Sequence, residues 1–193
     1  MIAFQNLYKG VGKLATRPRI LILFILAHAV LLLMMRFTFP EINAKMQGRA
    51  FDLRTFGYTY EEALVLVRNL DDSTTDRYIF PQLLMLDVLY PLLLALFLSA
   101  LILRLMDLLK VPSGSLYSNL YLIPFLAMLF DYLENAFIVV MISNPDSLST
   151  QLVGLASSLT LLKSSFTILS WIIVLTLSAF WLRARIRKKY HYE

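Results

Sequence analysis

Four long apolar runs, separated by short charged segments, set the pattern of this chain. A spanning helix needs about 20 mostly apolar residues, and runs of that kind occupy 20–39, 79–103, 120–142 and 160–182. The first is interrupted by Arg36, the second by Asp87, and the third by Asp131 and Glu134. The fourth carries Lys163 near its start and is uncharged from Ser164 to Leu182. The pattern predicts an all-α, polytopic membrane protein. It is a four-transmembrane-helix bundle, one membrane domain over 1–193, with a small outer helical cap made by 40–78.

Within the cap segment, Thr59-Tyr-Glu-Glu62 has the spacing of a capping box, with Thr at the cap and Glu three residues later. Leu64, Val67 and Leu70 then supply one apolar face, so a helix is expected over about 60–70. Phe51-Asp-Leu53 reads as a short extended piece, and Asp71-Asp-Ser-Thr-Thr75 as a polar turn into the second span. So short a segment buries little apolar surface alone and must pack on something. Asn144-Pro145-Asp146 is a turn, and Ser147 or Ser149 is placed to cap a helix running on to Arg187. That helix has about 40 residues and a length of about 60 Å, twice the hydrocarbon thickness. Its surplus, rich in Leu152, Val153, Leu155 and Leu159, is expected to project outward under the cap.

Lys and Arg placement sets orientation. Eleven lie on the side of the N-terminus, the loop between spans two and three, and the tail, including Arg183, Arg185, Arg187, Lys188 and Lys189. Seven lie on the other side, six of them in or beside the long loop, which also carries seven acids. Both termini are therefore expected in the cytoplasm, with the chain multi-pass in a cell (inner) membrane. The lipid bilayer is the expected partner, with anionic lipid attracted to the basic tail. Phe4, Leu7, Tyr8, Val11 and Leu14 repeat at helical spacing with Lys9 and Lys13 between them, which suits a short helix lying on the leaflet. A frayed basic tail, favoured by Gly10 and Gly12, is the alternative, and the acid-free composition also admits a mitochondrial transit peptide. No small-residue cleavage site follows the apolar run, so no cleaved signal is expected.

Composition agrees and removes several chemistries. The chain is 59% hydrophobic and 16% charged, with a mean hydropathy of +0.68, outside the range of ordinary soluble domains. With no cysteine there are no disulfides, thiolate nucleophiles or Cys-based metal sites, and no paired thiols of the kind that thiol–quinone oxidoreductases need. With His28 and His191 alone, His-rich zinc and haem sites are not expected either. His28 reads as a packed, hydrogen-bonded residue. No metal and no cofactor are expected. The net charge of +5 belongs to the membrane flanks, and nucleic acid is not an expected partner.

The remaining chemistry lies in the spans. At 1.5 Å per residue, Arg36, Asp87, Asp131, Glu134, Lys163 and Thr167 all fall about 17–29 Å from the cytoplasmic boundary. One polar layer in the outer half of the bilayer thus recruits all four helices, with three acids set against Arg36 and Lys163. Asp131, Glu134 and Asn135 stand at i, i+3 and i+4 and share a helix face. Pro91 stands four residues after Asp87 and has no N–H to give the Asp87 carbonyl. A free carbonyl at membrane depth is tolerated only inside protein or beside a watery cavity. The layer admits two readings. It is interhelical glue, with Lys163 snorkelling outward and Arg36 ending its span, or it is a site for a ligand, ion or proton.

Phe51-Asp-Leu-Arg54, then Phe56-Gly-Tyr-Thr-Tyr-Glu-Glu62, then an Asp-bearing span and an Asp-x-x-Glu-Asn span resemble small four-span bacterial membrane proteins. The resemblance covers most of the chain and implies a fold without an activity. Intramembrane aspartyl proteases carry Gly-x-Gly-Asp, whereas Met128-Leu-Phe130 precede Asp131 here. The dense Asp motifs of prenyl and CDP-alcohol transferases, the nucleotide loop and the Gly-x-Ser-x-Gly elbow do not occur either. The leading expectation is a non-enzymatic membrane protein with an outward-facing polar pocket that binds or conducts a small ligand, cation or proton. Asp87 and Glu134 would carry it, supported by Asp131 and Asn135, with Lys163 or Arg36 as counter-charge. Four spans alone seldom enclose a transport route, so a homodimer or a partner membrane subunit is expected with it. Two alternatives stand beside it: an intramembrane enzyme using paired carboxylates on a lipid-like substrate, and a structural or accessory subunit that docks through its cap.

Overall fold

A computed structural model describes residues 2–112 and 116–190. Every regular element among them is helical, and four helical units are long and apolar enough to cross a membrane: Arg17–Met46, Asp72–Leu108, Tyr117–Ser143 and Thr150–Arg187. The chain is therefore a helical bundle of the membrane-spanning kind.

Helix α1 (Ile2–Leu14) packs on the Asp72–Leu108 unit at the end of the bundle away from the cap. Val11 is buried, Leu7 and Leu14 pack beside it, and Tyr8 meets Tyr121 edge-to-face with ring centroids 5.6 Å apart. The helical spacing of these residues outweighs Gly10 and Gly12, whose vacant sides meet nothing within 4 Å. The side chains of Phe4, Lys188 and Lys189, and His191 as a whole, lie outside the described residues.

The first span is α2 (Arg17–Leu33), a π-helical turn (Met34–Thr38) and α3 (Phe39–Met46). It ends at Gln47, which adopts a left-handed conformation at φ 54°. In the cap, Phe51–Leu53 is a 3-10 turn rather than an extended piece. Tyr78 imposes the turn: its buried hydroxyl accepts from the Phe51 N–H at 2.9 Å and donates to Asp52 Oδ1 at 2.7 Å.

Helix α4 (Tyr60–Arg68) begins with the expected capping box. Thr59 N–H donates to Glu62 Oε2 at 2.8 Å, and Glu62 N–H donates to Thr59 Oγ1 at 3.2 Å. The expected polar turn at 71–75 is instead the start of a short helix, α5 (Asp72–Arg77), because Asp71 Oδ1 accepts from the Thr74 N–H and caps it. A segment of wide helical turns (Tyr78–Leu86), kinked at Phe80 where the backbone is extended (φ −136°, ψ 125°), then leads into α6 (Asp87–Leu108). Helix α7 is Ile123–Ser143 and α8 is Thr150–Tyr190, with the Ser149 hydroxyl accepting from the Leu152 N–H at the start of α8.

The outer end of α8 passes under the cap as its apolar surplus requires. Val153 and Ala156 are buried against cap residues, while Leu155 stays exposed. Ser157 Oγ accepts from the Tyr58 N–H at 2.9 Å. Gly57, at φ +75°, allows this approach, since a Cβ there would stand 2.5 Å from Ser157 Oγ.

Two apolar cores result. The outer one joins the cap to Met34, Leu83, Ile138 and Val153. The inner one joins α1 to Leu23, Leu98, Ile102 and Val174. Reading along α6, α7 and α8, the polar residues fall between the two cores. Helix α2 packs on α6, and α8 packs on α6 and α7, but α2 and α8 barely touch each other.

Candidate functional site

The gap between the cores is a cavity of about 330 Å³, at the lower end of the usual size for a small-molecule pocket. Asp52, Asp87, Asp131, Tyr90 and Lys163 form its polar end, with Ser164 and Thr167 beside them. Leu94, Ala95, Leu98, Ala127, Met128 and Ile168 form its apolar end.

Helix periodicity places the α7 groups. Asp131, Glu134 and Asn135 are all buried on the face turned to α6 and α8. Lys163 does not snorkel. Its ammonium lies 2.6 Å from Asp131 Oδ1 and 2.5 Å from Glu134 Oε2, with 14% of its side chain exposed. Thr160 donates its hydroxyl to Glu134 Oε1 at 2.5 Å. Glu134 thus has both oxygens engaged and stands behind Lys163 rather than on the cavity wall.

The carbonyl freed by Pro91 finds a partner from α7. Asn135 Nδ2 donates to the Asp87 carbonyl at 3.3 Å. One residue on, the Tyr132 hydroxyl donates to the Val88 carbonyl at 2.7 Å. These bonds hold the start of α6 against α7 and fix the Asp87 carboxylate at the cavity. Asp87 is 3% exposed, lines the cavity, and its Oδ2 has no hydrogen-bond partner.

Arg36 is a correction. It is exposed and no ion pair of the described residues involves it. The inward face of the first span is set by Ala27, Val30 and Met34, and two residues beyond Met34 the helix has turned its other side outward.

Asp52 was not expected. The cap delivers it to the polar end, where Tyr78 and Gln82 hold it: Gln82 Nε2 donates to Asp52 Oδ2 at 3.3 Å, and Thr38 Oγ1 to Gln82 Oε1 at 2.5 Å. The wide turn at Met34–Thr38 supplies Thr38, and the kinked segment Tyr78–Leu86 supplies Tyr78 and Gln82 on either side of its break at Phe80. Burial pushes the Asp52 carboxyl above its ordinary range, against the pull of Lys163 and of the Tyr78 hydroxyl. A sequence signal existed: a lone carboxylate between Phe51 and Leu53, two apolar residues of the cap. His28 is packed as expected, with Nδ1 2.8 Å from the Phe24 carbonyl and its ring 4.1 Å from that of Phe24.

The charge balance is unequal. Four carboxylates, Asp52, Asp87, Asp131 and Glu134, surround one ammonium, Lys163. Uncompensated charge in a low dielectric is expensive, so the site calls for further positive charge, as protons or as a bound cation. Among the described residues, no three His, Cys, Asp or Glu side chains are grouped so as to hold a metal ion. Comparison of the chain with models of protein families, with curated proteins and with solved structures gives no match.

Proposed function

We propose that this chain is an integral membrane protein whose intramembrane cavity binds a small ligand by its positive charge. The observation that carries the reading is Asp87 Oδ2, buried on the cavity wall without a partner, amid an excess of carboxylates. An ammonium or a protonated base placed there would gain a charge-assisted hydrogen bond that no protein group supplies. Asp131 and Asp52 would add attraction, while Lys163 and Glu134, locked together, would keep the polar end in shape. Asn135 would position Asp87 through its carbonyl. The Lys and Arg asymmetry supports a cytoplasmic location for both termini, a cap on the far side of an inner membrane, and anionic lipid around Arg183, Arg185 and Arg187. A second copy or partner subunit would be needed for conduction rather than binding.

The test is the melting temperature of detergent-purified protein in ethylammonium chloride against sodium chloride at equal ionic strength. Ethylammonium should stabilise the wild type in a saturable way, and Asp87→Asn should remove that stabilisation while folding normally. Equal stabilisation of both proteins, or of neither, would overturn the reading.

A further inference from the structure

The cavity is two-ended and opens sideways. Its polar end sits between the cores, at Asp52, Asp87, Asp131 and Lys163, and its apolar end runs along Leu94, Leu98 and Met128 toward the inner core. Leu31 of α2 and Ile168 of α8 line the cavity from either side, yet α2 and α8 barely touch, and Ile168 is half exposed on the flank of the bundle. A helix flank at this depth faces hydrocarbon. The route into the apolar end therefore lies through the bilayer, while the polar end is roofed by the cap turn at Phe51–Leu53.

A hydrated inorganic cation fits this shape poorly. It would need several oxygen ligands at once, and the carboxylates are not grouped for that. It would also leave the apolar end empty. A primary or secondary ammonium donates two or three hydrogen bonds as a point charge, and an attached apolar chain gains from the rest of the cavity.

From this geometry, and resting on the cation-binding reading above, we infer that the ligand is an amphiphile with a protonated amine head and an apolar body. It is taken from the membrane through the gap between α2 and α8. The head sits at Asp87 Oδ2 with Asp131 and Asp52 nearby, and the body lies along Leu98 and Met128 and out past Ile168.

The experiment compares ethylammonium, hexylammonium and neutral hexanol for binding to the full chain in phosphatidylcholine nanodiscs, each corrected for uptake by empty nanodiscs. Hexylammonium should bind more tightly than ethylammonium, by roughly fourfold per methylene that the cavity buries. Hexanol should bind far more weakly than hexylammonium, and Asp87→Asn should abolish binding of both ammonium ions. Ala127→Leu, which narrows the apolar end, should cut the gain from chain length while ethylammonium binding persists; that persistence also reports a folded site. Ethylammonium and hexylammonium binding equally, both dependent on Asp87, would overturn the amphiphile and leave the cation reading standing. Hexanol binding as well as hexylammonium, or no binding at all, would overturn both.

Discussion

Replacing Lys163 by methionine is the perturbation with the largest expected effect on the fold. The ammonium lies 2.6 Å from Asp131 and 2.5 Å from Glu134, and its side chain is only 14% exposed. Methionine keeps the length and fills the space but leaves two buried carboxylates facing each other without counter-charge. Breaking a buried ion pair by removing one partner costs about 3–5 kcal/mol. For a chain of this size that is a fall in melting temperature on the order of 10 °C. The cost should be relieved rather than compounded by a second change. Lys163→Met with Glu134→Gln replaces an unpaired charge by an amide that still accepts from Thr160, and should recover at least half of the loss. The assay is a melting series in detergent on the two single variants, the double variant and wild type, read as a double-mutant cycle. A Lys163→Met protein melting within about 2 °C of wild type would show that the ammonium is not bound between the two acids. A double variant less stable than either single one would show that their coupling is not electrostatic.

Asn135→Leu removes the donor to the Asp87 carbonyl and should cost about 1–3 kcal/mol, the penalty of a buried carbonyl left unpaired; an unchanged melting temperature would mean that the carbonyl finds another partner. Thr59→Ala should cost about 0.5–2 kcal/mol locally, seen as faster hydrogen exchange in α4 with the spans still protected. The same helix should loosen in acid. The Thr59 N–H, with Arg54 beside it, holds the Glu62 carboxyl below its ordinary range, so that support is present at neutral pH and is lost as pH falls through the lowered folded value, below the ordinary carboxylate range. Exchange in α4 that is indifferent to pH after correction for the intrinsic rate would refute this. Cysteines placed at Gln5, Pro112 and Tyr190 should resist a membrane-impermeant thiol reagent in intact cells while one at Gln47 reacts, and labelling at Tyr190 would reverse the orientation.

The spans and the capping box were legible because hydropathy and local hydrogen bonding are properties of neighbours in sequence. Span limits were less so. The apolar runs mark hydropathy alone, whereas the helices continue to Met46 and begin at Asp72 for reasons of capping and turn geometry. The Asp87–Pro91 spacing announced a free carbonyl and the α7 face announced its neighbours, but not that Asn135 would supply the donor. Counting residues along the first span gives Arg36 a depth but not a direction, and its side chain is exposed on the outside of the bundle. Asp52 escaped because its position depends on how Tyr78 folds the cap turn back onto the bundle, a contact 26 residues away in sequence. Glu134 shares the helix face of Asp131 and Asn135, but Thr160 and Lys163 occupy its two oxygens, which periodicity alone does not reveal.

The central claim is that the polar layer is a binding site on Asp87 and not merely the bundle's glue. Its most direct test measures two quantities on one sample of Asp87→Asn in nanodiscs: the melting temperature and the saturable binding of hexylammonium. The account predicts a variant as stable as wild type or more so, since a buried carboxylate with an unpartnered oxygen has been neutralised, with binding lost. A variant that melts well below wild type and yet binds hexylammonium as wild type does would contradict it.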